Sequence, residues 1–549
     1  MADEKLVRST GVVGAAVLAS RLLGLVREQI FAGLFGAGRE LDAFVTAFRI
    51  PNLFRDLFAE GALSAAFVTT FSKKLEKEGE ASAWRLANLV IHALVLIVGT
   101  IVVLGIFAAP WIVDLIAPGF REVPGKSELT IELTRLLFPF LLLVALAAIA
   151  MGMLNARNRF GVAASASSFF NLGSILAGMG CAWWLAPDYV SSVFGDGAGV
   201  ANSNAAAARA MMGMAIGTLV GGLLQLLVQL PSLHAVNFRY RPMLSFSDPG
   251  LREVLRLMGP ATLGAAAVQV NVLVNTSFAS GLGDGAVSWL NVAFRFMQLP
   301  IGLFGVAVGM VALPSVSRRV ANDDMEGMRA MIVRALRLVL ALCIPAAVGL
   351  AVLAPEVIGI VYQHGLFDAH DTRMAANALI AYALGLAGYA NIKVLVPAFY
   401  ALGDARTPAW VSGFSIGVNV VLAWTAIHVF GMGHVALALT TSVVACTNFA
   451  ILFVILRRRI GRFDGLASVL PPIAAGAVAV ALVSFGVRAL VLLWLPEGSF
   501  AARFWTVAAA LPLAAGAFGA ISYGLGLVEV VSLVGSLRRR LGRGSRGDG

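Results

Sequence analysis

Residues 11–36 read GVVGAAVLASRLLGLVREQIFAGLFG. A helix needs about 20 mostly apolar residues to cross the hydrocarbon core of a bilayer, and this run is long enough. Its charged side chains are Arg21, Arg27 and Glu28. On a wheel at about 100° per residue, Ser20, Arg21, Gly24, Arg27 and Glu28 fall within an arc of roughly 120°. One side of the helix is apolar and the other is a polar wedge with a glycine in its middle. Lipid cannot face that wedge, because a charge near the bilayer centre costs roughly 2.5–3.5 kcal/mol on insertion scales. The wedge must meet protein or a watery cavity. A helix of this kind belongs inside a bundle of membrane-spanning helices.

The rest of the chain has the same character. Its 549 residues are 59% hydrophobic and 13% charged, with a mean hydropathy of +0.87. A soluble domain carries about twice that charge fraction. No polar segment is long enough to cover one very large soluble core. The opening MADEKLVRST mixes acids with bases, and no short apolar run with a cleavage site follows it, so the first helix is expected to be retained. Cys181, Cys343 and Cys446 lie far apart in apolar runs. They are expected as small core hydrophobes, neither disulfides nor metal ligands.

The apolar runs give about fourteen candidate spans: 11–36, 41–71, 85–109, 129–154, 161–186, 207–231, 255–281, 285–314, 330–354, 373–401, 408–430, 433–456, 467–495 and 503–534. Basic residues alternate between the connections. One set holds Lys73, Lys74, Lys77 and Arg85, then Arg157 and Arg159, then Arg239, Arg241, Arg252 and Arg256. It continues with Arg318, Arg319, Arg329, Arg334 and Arg337, then Arg406, then Arg457, Arg458, Arg459 and Arg462. The tail adds Arg538, Arg539, Arg540, Arg543 and Arg546. The other set holds few, among them Arg39, Arg121, Lys126, Arg135 and Arg209. The positive-inside rule puts the first set, and both termini, in the cytoplasm of a multi-pass inner-membrane protein. The net charge of +11 then needs no nucleic acid, and the basic tail can touch anionic lipid.

An internal repeat recurs after roughly 245 residues. Ala47-Phe48-Arg49 with Pro51 returns as Ala293-Phe294-Arg295 with Pro300, and Ser72-Lys73-Lys74 as Ser317-Arg318-Arg319. Leu154 and Asn171 return as Leu402 and Asn419. The expected fold is therefore all-α and integral to the membrane. It has two pseudo-repeated lobes of about six helices each, as in transporters whose halves rock about a central site. The lobes are expected at 1–235 and 236–462, with two further helices at 463–535 and a basic cytoplasmic tail at 536–549.

Charges inside spans carry the chemistry: Arg21, Arg27, Arg49, Arg55, Arg295, Lys393 and Arg488. For the arginines of the first span there are two readings, an interior salt bridge to Glu28 or a cavity that takes an anion. In the second span Pro51 is expected to kink the helix. Asp42 is expected to pair with Arg49, and Asp56 and Glu60 lie on the far side of the proline. In the eighth span Asn291, Arg295 and Gln298 share one face, and no acid lies within a turn of Arg295 in its own helix. Gly302, Gly305 and Gly309 then permit close packing or bending. Several arginines without a matching excess of acids suit a diphosphate, because the planar guanidinium can bond two phosphate oxygens at once. A drug–proton antiporter would centre on carboxylates instead. His364, His370, Asp368 and Asp371 are read as an external loop, with Asp371 capping the next helix, and not as a metal site. The external stretch around Asp188 to Arg209 is read as a flexible linker. There is no P-loop, no catalytic carboxylate pair and no nucleophile motif, so no catalytic residue, metal or cofactor is expected.

Several blocks resemble the MurJ (MviN) family of lipid II flippases. They are Ser20–Glu28, Phe35-Gly36-Ala37-Gly38, Asp42-Ala43-Phe44, Ile50–Arg55 and Phe58–Ala62, followed by Leu154-Asn155 with Asn158-Arg159-Phe160. Pro314–Arg318, and Lys393 with Pro397–Asp404 and Arg406-Thr407-Pro408, match later ones. The resemblance implies the V-shaped MOP (MATE-like) transporter fold, with the last two helices forming a groove for a lipid tail. It implies lipid II as substrate, carried by Arg21, Arg27, Arg55 and Arg295. Ser20, Gly24, Glu28, Asp42, Glu60, Asn291, Gln298 and Lys393 are expected to support the cavity or its gates. Further expectations are a monomer, contact with membrane lipids and with cell-wall synthesis and division proteins, and coupling to the membrane potential or to an ion. Rival readings are a MOP exporter of another lipid-linked oligosaccharide, a membrane glycosyltransferase using the same lipid, and a transport-dead division scaffold. Glu28 and Gln298 depart from the acids common at those positions in relatives, Asp and Glu.

The topology makes a direct prediction. Single cysteines replacing Lys74, Arg241 or Arg458 should be shielded from an impermeant thiol reagent in intact cells, and one replacing Asp188 should be labelled. Labelling of the first three would overturn the span map.

Overall fold

The computed structural model describes residues 2–58, 62–195 and 204–527; the side chains of 2–12, 54–58, 62–65 and 259–268 lie outside that description. Among the described residues every regular element is helical. This follows from the solvent: hydrocarbon offers a backbone amide no partner, so each spanning segment must bond to itself. The chain forms two compact units. One runs to Ser288 and takes in His364–Asp368, and the other holds Trp289–Gln363 and the chain from Ala369 onward.

The first unit contains α1 (Ala2–Phe35), α2 (Arg39–Phe58), α3 (Ala62–Lys77), α4 (Glu80–Ile116), α5 (Lys126–Leu137) and α6 (Phe140–Ala156). It continues with α7 (Phe160–Leu185), α8 (Pro187–Phe194), α9 (Asn204–Leu227), α10 (Leu230–Ala235) and α11 (Pro249–Ser280). The α7–α9 seam is made by glycine. A Cβ on Gly217 would collide with the backbone of Gly178, one on Gly213 with that of Ala182, and one on Gly221 with the Phe170 carbonyl. Helices approach this closely in membranes where small residues remove the intervening side chains. Ser174 and Thr218 meet across the same seam at 3.4 Å.

One feature differs from expectation. The stretch expected as a linker opens as α8, because Pro187 starts a helix whose Tyr189 is buried and donates to the Leu34 carbonyl at 2.7 Å. Helix α11 packs in the first unit. Leu251 and Val254 join the core of Phe67, Phe71 and Leu86, and Lys73 pairs with Glu253 at 3.3 Å. The connector before α11 lies along α4. Asn88 accepts from the Arg241 amide at 2.8 Å and donates to the Arg239 carbonyl at 3.1 Å. Asp248 caps α11 through the amides of Gly250 and Leu251.

In the second unit, α12 (Ala286–Pro300, from Trp289 onward) passes through a π-helical turn at Ile301–Val306 into α13 (Ala307–Ala321). There follow α14 (Met325–Val352), α15 (Ala354–Tyr362), α16 (Ala369–Ala383), α17 (Leu386–Ala401), α18 (Arg406–Trp424), α19 (His434–Ile460), α20 (Leu470–Leu492) and α21 (Phe500–Gly524). Helices α16 and α17 meet at a 47° bend. Gly385 sits there against Ser442, whose hydroxyl donates to the Ala381 carbonyl at 2.7 Å, a carbonyl at the break. A kink needs such a local cause and a substitute partner for the freed groups.

Among the described residues ten helices are long and apolar enough to cross a membrane, eleven if the bent pair is one span. The other three expected spans fall on α1, on α2 with α3, and on α11, each of which includes residues outside the side-chain description. Trp111, Trp184 and Trp494 are largely exposed near the far ends of α4, α7 and α20. Tryptophan collects at the bilayer interface, and these are ends expected to be external.

The seam is testable. Gly217→Ala should destabilise the purified protein by about 1–3 kcal/mol, the usual range for overpacking. Gly180→Ala, also on α7 but with open space where the methyl would go, should not. Equal melting temperatures for the two in detergent would show that the seam gives way easily.

Candidate functional site

The polar wedge of α1 divides between two surroundings. Its Ser20–Gly24–Arg27 edge packs on α7. Asn171 donates to the Ser20 carbonyl at 3.0 Å and fills the space left by the missing side chain of Gly24, 3.5 Å from where a Cβ would stand. The Arg27 guanidinium lies 5.0 Å from the centre of the Phe170 ring and 3.7 Å from Glu28. Arg27 thus stands beside both a carboxylate and an aromatic ring. Gly24 is a packing position on a helix seam. Arg21, on the other edge, is exposed. Arg55 belongs to α2, but its side chain lies outside the described residues, as does Glu60 altogether.

Asp42 is fully buried and does not pair with Arg49. Its Oδ2 accepts from Lys126 Nζ at 2.9 Å and from the Gly285 amide at 2.8 Å. Its Oδ1 accepts from the Ser288 amide at 2.8 Å and the Ser288 hydroxyl at 2.6 Å. Lys126, also fully buried, reaches Asp284 at 2.7 Å and lies 4.3 Å from the centre of the Phe120 ring. The expected Asp42–Arg49 pair fails because both carboxylate oxygens are taken by donors far away in sequence. Sequence reasoning placed Lys126 in an external turn and missed it. No local signal marks a lysine whose partner is 84 residues away.

In the second unit, Arg295 and Gln298 are exposed and Asn291 is half-buried, while Val292, Ala293, Phe296 and Met297 are buried. The polar face read from the wheel is therefore the face that α12 leaves open. The π-helical turn follows Pro300 directly. Within it Gly305 lies against Ala390, and beyond it a Cβ on Gly309 would collide with the Lys393 carbonyl. Two of the three glycines are thus close-packing sites against α17, and Gly302 meets nothing. The Lys393 side chain is exposed. Arg488 is an ion-pair residue, 3.0 Å from the buried Glu356 and 3.7 Å from Glu497.

The histidine-rich loop disperses. His364 Nε2 lies 2.7 Å from the Gln29 carbonyl, and His370 meets Trp289 edge-on. Asp371, expected to cap α16, lies inside its first turn and accepts from Trp289 Nε1 at 2.9 Å. No group of three metal-ligand residues forms among the described residues.

A family model described as Lipid II flippase MurJ matches residues 31–510. The chain belongs to the MurJ family. A lipid II flippase MurJ from Burkholderia cenocepacia is 35% identical over 459 residues, which covers 83% of this chain and 84% of that one. A probable lipid II flippase MurJ from Rhizobium meliloti is 32% identical over 542 residues, covering 97% and 96%. The solved structure of a lipid II flippase MurJ in an inward closed conformation matches with a TM-score of 0.72 at 25% identity, over 93% of this chain and 97% of that one. An inward-facing multidrug resistance MATE family transporter of the MOP superfamily matches at a TM-score of 0.63 and 16% identity, over 83% and 98%. That likeness shows the shared MATE-like fold. The MurJ family is one of transporters, not enzymes, and the all-α membrane class read from the sequence is the class found. The family match begins at Phe31, after the Ser20–Glu28 block that carried the resemblance most densely.

The buried pair yields a prediction. Lys126→Met should cost about 3–5 kcal/mol, because it leaves Asp42 charged and buried. Asp42→Asn in the same chain should recover part of the loss. The check is protein level and melting temperature. Full stability of Lys126→Met alone would contradict the pairing.

Proposed function

We propose that this MurJ-family chain flips lipid II, the undecaprenyl-diphosphate-linked peptidoglycan precursor, from the inner to the outer leaflet of the cytoplasmic membrane by alternating access. The observation that carries the proposal is the open polar face of α12. Arg295 and Gln298 are exposed on a helix otherwise apolar enough to span, in a family of lipid II flippases.

Arg21, Arg27, Arg55 and Arg295 draw in the diphosphate and head group, while the tail stays in lipid along α20 and α21. Ser20, Glu28, Asp42, Glu60, Asn291, Gln298 and Lys393 support the cavity or its gates, Asp42 by holding Gly285 and Ser288. Both termini are cytoplasmic, fourteen helices span the membrane, and the protein acts as a monomer. A charge that moves across the field can couple the cycle to the membrane potential, at about 2.3 kcal/mol per charge per 100 mV. Each good charge-assisted hydrogen bond contributes roughly 1.5–3 kcal/mol, so losing one or two lowers affinity more than tenfold.

The test is complementation of a flippase-depleted cell at matched expression, reading which leaflet holds lipid II. Arg21→Ala, Arg55→Ala and Arg295→Ala should abolish flipping without loss of protein. The corresponding Lys variants should be impaired, because they keep the charge and lose the planar fork. Arg27→Ala should abolish flipping and also lower stability, since it removes the contacts of Arg27 with Glu28 and the Phe170 ring. Normal lipid II translocation by the Ala variants, or failure only through degradation, would falsify the diphosphate-binding role. Rescue of a different lipid-linked oligosaccharide pathway, with lipid II left on the inner leaflet, would favour another MOP exporter.

A further inference from the structure

Two kinds of contact hold the terminal helix pair, α20 and α21, to the rest of the second unit. The first is apolar. Ile473, Val480, Ala514 and Phe518 cluster with Ala341 of α14. Val487 and Ala510 cluster with Leu353 and with Val357 of α15. In water such packing would be driven by burial. In a bilayer it is not, because lipid chains are as apolar as the helices they would replace. Apolar contact alone therefore leaves the pair able to exchange α14 and α15 for lipid.

The second kind is charged and sits at one place. Glu356, in the first turn of α15, is buried. Its Oε1 lies 3.0 Å from Arg488 Nε of α20, and its Oε2 has no hydrogen-bond partner among the described residues. Arg488 is also 3.7 Å from Glu497, which is exposed in the turn between α20 and α21. Among the described residues, Glu356–Arg488 is the one ion pair that joins the terminal pair to another helix. Gly359, one turn along α15, makes room for a second cation. A Cβ there would stand 2.8 Å from the Arg503 side chain of α21, so the missing methyl is what admits it. One face of α15 thus meets both helices of the pair, Glu356 through Arg488 and Gly359 through Arg503. Arg488 stands about 27 Å along the helix from Leu470, at the end proposed to be external.

We propose that Glu356 is a positioning residue for the lipid chain of the substrate: it fixes the external end of α20 and α21 on α15, so that the path along these two helices keeps its shape. The inference rests on the tail path of the proposed function and deepens it. Val478, Leu482 and Phe485 are exposed and recur on one side of α20 at helical spacing, an apolar stripe for a chain to lie along. The head group is assigned to arginines outside this pair, so a change at Glu356 acts on the chain alone.

The experiment uses the full chain purified in detergent. Undecaprenyl diphosphate and farnesyl diphosphate serve as long- and short-chain ligands with the same head, and bound lipid is counted by native mass spectrometry. The wild type should prefer the long chain. Glu356→Gln is the cleaner change, because Arg488 keeps Glu497, whereas Arg488→Gln leaves a buried carboxylate alone. It should weaken undecaprenyl diphosphate binding several-fold and leave farnesyl diphosphate binding unchanged. Glu356→Asp should recover part of the preference. Gly359→Ala, which displaces Arg503 and alters no charge, should shift the preference in the same direction. Glu497→Gln, at an exposed position, should change little. Loss of both ligands alike in Glu356→Gln and Gly359→Ala would show a general structural role and overturn the proposal. A wild type that prefers the long chain, with both variants keeping that preference, would sink this inference alone. Equal binding of the two lipids by the wild type would strike the tail path itself, and this inference with it. Neither result bears on lipid II as the cargo, which the leaflet assay decides.

Discussion

A charge placed against hydrocarbon must be paired, hydrated or neutralised, and this fold is organised by how each charge meets that demand. Taking an ion out of water costs several kcal/mol, which only close partners and further hydrogen bonds return. Asp42 and Lys126 meet the demand by mutual contact, with two amides, a hydroxyl and a second carboxylate completing the shell. Glu356 meets it through Arg488. Arg21 and Lys393 meet it by leaving their side chains exposed. The first class ties helices together. The second is available to a ligand, and the proposed function draws on it.

The backbone obeys the same demand, and its exceptions are local. The bend between α16 and α17 leaves carbonyls without helical partners, and Ser442 takes the one of Ala381. The π-helical turn at Ile301–Val306 follows directly on Pro300, which has no amide hydrogen to give. Five residues after that proline, the helix presses Gly305 and then Gly309 onto α17. Irregular backbone, glycine and close approach thus occur together on the helix that carries Arg295. Such turns often mark functional sites in helices.

Much of this was legible in the sequence, for a physical reason. Spans, their order and the open face of α12 all follow from periodicity and from the cost of charge in lipid, both of which are local. The reading that puts Asn291, Arg295 and Gln298 on one face came from spacing alone. What could not be read depends on pairs distant in sequence. Asp42 looked like the partner of Arg49 because Arg49 is near in the chain, whereas its true partner, Lys126, shows no local pattern. Asp371 looked like a cap because it is an acid at a helix start, whereas the Trp289 indole claims it. Tyr189 turned an apparent linker into a helix by finding the Leu34 carbonyl. In each case an acceptor chose its donor in three dimensions.

The glycine seam between α7 and α9 has a mechanical consequence. With no side chains between them, the two helices cannot slide without backbone striking backbone. Asn171 fastens α1 to the same α7 by bonding to the Ser20 carbonyl across the gap at Gly24. Three helices therefore make one stiff lever. A pull on the arginine-bearing stretch of α1 is delivered to α9 with little of it absorbed in between, and the compliance of the first unit must reside elsewhere, in its turns and broken helices.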